Sequence, residues 1–385
     1  MVGGCPGKFI CDAHHYAWRL DGLIELVAGC FSHDAQRNQS AGETLGLAAE
    51  RVYQDYPQML EAEAALPETE RIQLVASVTP NHLHAPVAMQ AVDLGFPVIS
   101  DKPLCFSLAE ARDLCRAIDT SGQFFVLTHT YQGYPLVKQA RDFVAAGKLG
   151  PIHKVLVEYP QAGVIKGLSS ADPKRLEKLK NPAHQTDVSA CLSDIGVHAS
   201  ILAESIAGLQ IERVLGDTGC RVPGRSLDDD AHVLLRFNNG ANGILMASQV
   251  CSGAENNLAV RVVGERGTIF WQQHDPNTLT VYWNDDPPQI LRTGRWQGLP
   301  GQAPAHYQRM PAGHPEGYIE AFANAYRSAA RIILARAEGR EPDPLDADFP
   351  THRDGFRGMA LVQAVHDSVT NGNQWTQLEA YPEIS

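Results

Sequence analysis

Three side chains in this sequence are of types that move protons and steady charge, and their neighbours restrict where they point. Lys102 is followed by Pro103. Proline fixes its own φ and biases the preceding residue toward an extended conformation, so the Lys102 amine is aimed in one direction. Asp194 and His198 stand four residues apart in Asp194-Ile-Gly-Val-His198, opening a helical pattern that ends at Gly208. Positions i and i+4 share a helix face, and a carboxylate at a helix start is favoured by the dipole. An acid–histidine pair and a directed ammonium are the parts of proton transfer with charge stabilisation. The bland alternative is that Asp194 caps its helix and His198 is a satisfied core histidine.

The elements around Lys102 give it a setting. Leu74–Val78 is a short apolar run with β-branched residues, broken by Thr79-Pro80-Asn81. Such a run suits a strand buried on both faces. Val87, Ala88, Ala91, Val92 and Leu94 follow at helical spacing, closed by Gly95. A second strand, Phe96–Ile99, then delivers Ser100-Asp101-Lys102-Pro103. Ligands of open α/β sheets bind at the carboxyl ends of strands, where these polar residues lie.

The chain begins with a glycine-rich turn, Gly3, Gly4 and Gly7, preceded only by Met1 and Val2. Against the dinucleotide pattern G-x-G-x-x-G counted from Gly3, Cys5 stands at the second glycine and Lys8 at the third. Leu23–Phe31 reads as a strand after a helical segment, His14–Leu20. It leads to Ser32-His33-Asp34 and Arg37. An acidic residue there holds ribose hydroxyls, while a Ser/Arg pair suits a 2′-phosphate, so NAD and NADP both stay open. Asp34 can equally cap the next helix. Further on, Ser107-Leu-Ala-Glu110 is a capping box, Phe124–Thr128 is another buried strand, and Leu136–Val144 is helical. This βα alternation predicts a Rossmann-like doubly wound parallel sheet whose first strand is largely missing. A sheet so shortened exposes apolar edges. The expectation is that the native protein begins several residues upstream, or that this start weakens cofactor binding.

After Gly150 the pattern changes. Residues 152–160 alternate, Ala231–Phe237 and Ile244–Val250 flank a hairpin signal, and Leu258–Val263, Thr268–Trp271 and Thr278–Trp283 follow. Successive strands without helices between them predict an α+β domain with a large, mostly antiparallel open sheet. The division is a nucleotide-binding domain over 1–130 and a substrate and oligomerisation domain over 131–385. Residues 286–312, rich in Pro and Gly, read as a loop over the sheet, with helices at Pro315–Ala337 and His352–Thr370. Tyr131, Tyr134, Trp296 and His314 are candidate substrate contacts.

Bulk properties narrow the classes. The chain has 385 residues, is 44% hydrophobic, and carries a formal charge of −12. That balance disfavours nucleic acid or an anionic membrane as partner. None of the eight cysteines forms a C-x-x-C pair, which gives no support for a metal. No apolar run approaches the roughly 18 residues of a membrane span, so a cytoplasmic protein is the expectation.

Taken together, Thr79-Pro80-Asn81-x-x-His84, Asp101-Lys102-Pro103, Asp194-x-x-x-His198 and Gly264-x-x-Gly267-Thr268 resemble the glucose–fructose oxidoreductase / inositol 2-dehydrogenase (Gfo/Idh/MocA) family of NAD(P)-dependent oxidoreductases. The resemblance spans essentially the whole chain. It implies hydride transfer at a secondary alcohol of a sugar, polyol or inositol, with the active site between a Rossmann domain and an open sheet. Lys102 matches the family's catalytic lysine, and Asp194 and His198 its acid–histidine pair. Asn81 and His84 match residues near the nicotinamide. Gly3, Gly4, Gly7, Ser32, Arg37, Thr79, Pro80, Asp101 and Lys102 complete the expected cofactor set. The family usually has Glu where Asp101 stands. Alcohol oxidation needs a base as hydride leaves. His198 oriented by Asp194 can supply it with Lys102 stabilising the alkoxide, or Lys102 can itself be the base. A redox-neutral enzyme that reduces and reoxidises bound NAD, and a non-catalytic sensor or regulator, are the alternatives. A homodimer or homotetramer is expected by resemblance.

Overall fold

The computed structural model describes residues 1–167, 177 and 188–382. They form two compact units.

The first unit comprises residues 1–133, 318–356 and 381–385. Its sheet runs β1 (Val2–Gly3), β2 (Val75–Val78), β3 (Val98–Ser100), β4 (Phe125–Leu127) in that order, every pairing parallel. Every residue of β2, β3 and β4 is buried, as expected of a sheet covered on both faces. Helix α1 (Phe9–Leu20) packs on the Tyr318–Ala337 helix. Phe322, Ala323, Tyr326 and Ala329 of the latter join Ala76, Val78, Ile99 and Val126 of the sheet in one core. The sequence division at residue 130 assigned that helix to the second domain. Its apolar face instead completes the first unit's core, which the local helical pattern could not reveal.

The strand read over Leu23–Phe31 is another departure. Only Gly29 and Cys30 make bridges, to Val52 and Val2. A strand persists only where a neighbour pairs with it, and β1 offers two residues. The Met1 ammonium is buried and donates to the Ala28 carbonyl at 2.7 Å. Leu23–Ala28 and Arg71–Leu74 border a cavity of about 420 Å³ beyond it.

The second unit comprises residues 134–317 and 357–380. Its strands are β5 (Ile152–Pro160), β6 (Ile211–Gly219), β7 (Asp230–Phe237), β8 (Asn242–Ser248), β9 (Ala259–Gly264), β10 (Gly267–Gln272), β11 (Thr278–Trp283), β12 (Gln289–Arg292) and β13 (Thr376–Gln377). Their spatial order is β12-β11-β10-β9-β5-β8-β7-β6-β13, antiparallel except for the β5–β8 pair. One face is buried beneath the Pro135–Ala145 and Val197–Ala207 helices, and the other is open, so burial alternates along β7 and β8. The stretch read as a loop over 286–312 contains β12 and a short helix, Ala303–Tyr307. Both are too short to show a period in sequence.

Candidate active site

In the first unit, chemistry collects at the amino end of α1 and the carboxyl ends of the strands. Gly3 and Gly4 hold φ of +73° and +71°. A Cβ on Gly3 would lie 2.2 Å from the Val78 carbonyl oxygen, so no other residue fits there. Their N–H groups donate to Cys30 at 2.8 Å and Val78 at 3.0 Å, and that of Gly7 donates to Asp12 at 2.9 Å. Cys5 and Lys8, the departures from the glycine pattern, need no glycine: Asn373 is the only non-glycine residue at positive φ among those described. Lys8 starts α1 without a side-chain cap. Among the described residues, none accepts from the N–H groups of Cys5, Lys8, Phe9, Ile10 or Cys11. Open donors at a helix start, reached through a glycine-rich turn, suit a dinucleotide's pyrophosphate.

The turn after Cys30 is tightly engaged. Asp34 caps helix α2 (Ala35–Leu45), accepting from the Arg37 N–H at 2.8 Å, and Ser32 Oγ accepts from the Asp34 N–H at 3.2 Å. The Arg37 guanidinium reaches back to donate to Cys5 Sγ at 3.2 Å, which brings the second turn to the first.

At the strand ends, His84 is buried and bridges two carbonyls, Pro103 at 2.7 Å and Thr79 at 3.0 Å. It ties the ends of β2 and β3 together, and Pro80 leads into the Asn81–Leu83 turn between them. Asp101 Oδ1 accepts from the Lys102 N–H at 2.8 Å and from Thr128 Oγ1 at 3.0 Å. The half-buried Lys102 thus stands on a backbone pinned from β3 and β4, ahead of a cis peptide to Pro103. Beneath lie histidines that sequence spacing did not single out. Burial pushes His14 down to about 4, against the opposing pull of Asp101; its Nδ1 meets the Tyr326 hydroxyl at 2.6 Å. Burial, aided by the Lys102 charge, pushes His129 down to about 3.

In the second unit, Leu192–Gly196 form a π-helical turn that runs into the Val197–Ala207 helix. Such turns concentrate at functional sites. Asp194 and His198 are half-buried where their neighbours are buried. Asp194 is not the cap. The Ala190 and Cys191 N–H groups donate to Asp228, at 2.6 and 3.2 Å, and Ser189 Oγ donates to it as well. Asp194 Oδ2 instead accepts from Gln249 Nε2 at 2.8 Å. Gln249 Oε1 accepts from Arg225 at 3.3 Å, and Arg225 stands 3.9 Å from Asp229. This buried chain steadies the Asp194 carboxylate. The His198 ring meets Tyr159 edge-on, centroids 6.3 Å apart, and the Tyr159 hydroxyl donates to Asn256. Gln249, Arg225 and Asp228 escaped sequence reading because they come from strand ends and a loop distant in sequence. The triple acidic run Asp228–Asp230 was their one visible signal.

The substrate candidates make contacts within their own units. Tyr131 is buried against Tyr318, and Tyr134 against Trp271. Trp296 donates to Gln308 in its loop, and His314 sits in an exposed turn beside the Pro311 carbonyl. Among the described residues no three His, Cys, Asp or Glu side chains converge to hold a metal ion, and no helix is long and apolar enough to cross a membrane.

Residues 1–129 match the family described as an oxidoreductase family with an NAD-binding Rossmann fold, and residues 137–270 match the GFO/IDH/MocA C-terminal domain. The chain belongs to the GFO/IDH/MocA oxidoreductase family. An oxidoreductase from Sinorhizobium meliloti is 40% identical, with 97% of each chain covered and a TM-score of 0.85. An inositol dehydrogenase homolog from Azotobacter vinelandii, solved with NADH and myo-inositol, is 31% identical over 98% of this chain and 96% of its own, with a TM-score of 0.87. The uncharacterized oxidoreductase YfiI of Bacillus subtilis (strain 168) is 29% identical over 98% of this chain and 96% of its own length. The first unit of this GFO/IDH/MocA member therefore carries an NAD-binding Rossmann fold, and its glycine turn and uncapped α1 fit that cofactor.

Proposed function

We propose that this protein is an NAD-dependent dehydrogenase that oxidises a secondary alcohol of a sugar, polyol or inositol. The observation that carries the reading is the release of Asp194 from capping. Asp228 does that work, leaving a braced carboxylate and a half-open histidine on one helix. The myo-inositol held by the Azotobacter vinelandii neighbour supports the substrate class. Bound NAD supplies the hydride acceptor. His198 takes the hydroxyl proton, an imidazole being matched to neutral pH. Asp194 orients it, and Gln249 fixes Asp194. Lys102 supplies a directed ammonium to stabilise developing alkoxide charge. The test is whether His198→Ala and Lys102→Ala remove turnover from a protein that still folds.

NAD is the expected cofactor over NADP. The turn after Cys30 carries the Asp34 carboxylate, a charge that disfavours a 2′-phosphate, and the Arg37 guanidinium that could offset it is engaged with Cys5. Titration followed by nicotinamide fluorescence should give NADH a Kd at least about tenfold below that of NADPH, a difference of about 1.4 kcal/mol. The reverse order would contradict this assignment.

The open face of the large sheet supports self-association. Strand register places Leu234, Ile244, Leu156, Arg261, Phe270, Thr280 and Ile290 in one row across seven strands. Leu234, Ile244 and Ile290 are 44%, 46% and 64% exposed. Apolar rows of this kind mark interaction faces, and we assign this one to a homodimer or homotetramer. Light scattering should find an oligomer that Ile244→Glu shifts to monomer; a monomeric wild type would refute it.

A further inference from the structure

The glycine turn is held by a histidine that no motif includes. His15 is 4% exposed on α1, nearly two turns inside the helix, and its Nε2 lies 2.8 Å from the Gly4 carbonyl oxygen. Trp18 Nε1–H points at His15 Nδ1 from 3.4 Å. An indole N–H is donor only, so Nδ1 must accept, and the proton of the neutral ring sits on Nε2 and is donated to Gly4. The charged groups around the ring are Arg19, Asp12 and the Met1 ammonium, and burial is the largest influence on it, favouring the neutral form.

The consequence lies in the peptide planes. A trans peptide points its carbonyl and its N–H in opposite directions. The peptide entering Gly3 is fixed by its bond to Cys30, and that entering Gly4 by its bond to Val78. The next plane joins the Gly4 carbonyl to the Cys5 N–H. Its carbonyl is held by His15, so its N–H is aimed the opposite way. That Cys5 N–H, unlike those of Gly3, Gly4 and Gly7, has no acceptor among the described residues. It stands where the glycine pattern is broken, so the direction of this one plane matters to anything the turn holds.

We propose that His15 is a positioning residue for NAD: by donating to the Gly4 carbonyl it locks the Gly4–Cys5 peptide so that the Cys5 N–H is presented to the dinucleotide. This inference rests on the NAD-binding assignment and adds a residue to it. Trp18 sets the tautomer, His15 sets the plane, and Cys5 makes the contact through its backbone, which is why a cysteine there is tolerated.

The experiment measures NADH affinity by fluorescence titration, with thermal melting of the same samples, for wild type, His15→Phe, His15→Gln and Trp18→Phe. Phenylalanine keeps the ring and loses the donor. Glutamine keeps a donor and loses the ring. The expected result is a Kd about tenfold higher for His15→Phe, within about threefold of wild type for His15→Gln, and intermediate for Trp18→Phe; in turnover, KM for NAD rises while kcat holds. Wild-type affinity in a folded His15→Phe would overturn the proposal. So would equal weakening by Phe and Gln, which marks His15 as packing alone. A folded wild type that binds no NADH would instead remove the cofactor assignment itself.

Discussion

Lys102→Ala and His198→Ala are each expected to lower kcat by about 10²- to 10⁴-fold, the range for loss of a positioned proton-transfer group or of a preorganised charge stabiliser. Neither substitution should unfold the protein. Both side chains are half-buried, and neither is part of a hydrophobic core. Lys102 is placed by backbone contacts that survive its truncation: Asp101 holds the Lys102 N–H and the Thr128 hydroxyl whatever the side chain. His198 lies on a helix whose start is secured by Asp228 and Ser189. Asp194→Asn should show a smaller loss, because the amide still bonds Gln249 but no longer stabilises an imidazolium. The measurement is kcat and KM for each variant, beside its melting temperature. Near-normal rates in both Lys102→Ala and His198→Ala would remove them from the chemistry.

The second large effect is acid sensitivity of the first unit. His14 and His129 are buried with pKa values held down to about 4 and about 3, against an ordinary 6.5, and burial lowers His84 in the same sense. Below pH 6.5 the unfolded chain takes up protons that the folded chain refuses, so stability falls as pH falls. The loss continues until the folded values are reached. Each such histidine contributes a slope of about 1.4 kcal/mol per pH unit, so His14 and His129 together contribute about 2.7 kcal/mol per unit. Against a usual total of about 5–15 kcal/mol, that is decisive. Calorimetry from pH 7.5 to 5 should show the melting temperature of the first unit dropping steeply below pH 6.5. A flat profile would mean that these histidines are hydrated in solution.

The parts of this protein that were legible in sequence are those set by local chemistry. Thr79-Pro80-Asn81 ends β2, the Ser107–Glu110 box starts its helix with the Ser107 hydroxyl on the Glu110 N–H at 3.2 Å, and Gly122 closes that helix in the left-handed region. Lys102 and the Asp194/His198 pair stood out because a proline and a helical spacing are visible in sequence. What supports them was not legible. His14 and His15 read as part of a helical segment and His129 as a residue at a strand end, and only folding brings His15 to Gly4 or His129 within reach of the Lys102 charge. Gln249 reaches Asp194 from 55 residues away in the chain, and Arg225 in turn holds Gln249. The Leu23–Phe31 strand failed for a related reason: its residues favour extension, but pairing depends on a neighbour. The tyrosines at 131 and 134 follow a strand end, yet each is absorbed by an aromatic partner.

Net hydride transfer to NAD is what defines a dehydrogenase here. The purified protein would be incubated with NAD and a panel of inositols, polyols and sugars while NADH absorbance is followed. The expected result is NADH accumulating in proportion to at least one alcohol consumed, and lost in His198→Ala. A protein that binds NAD yet converts a sugar with no net NADH would contradict the dehydrogenase and point to a redox-neutral cycle. Binding without conversion of any alcohol would point to a sensor.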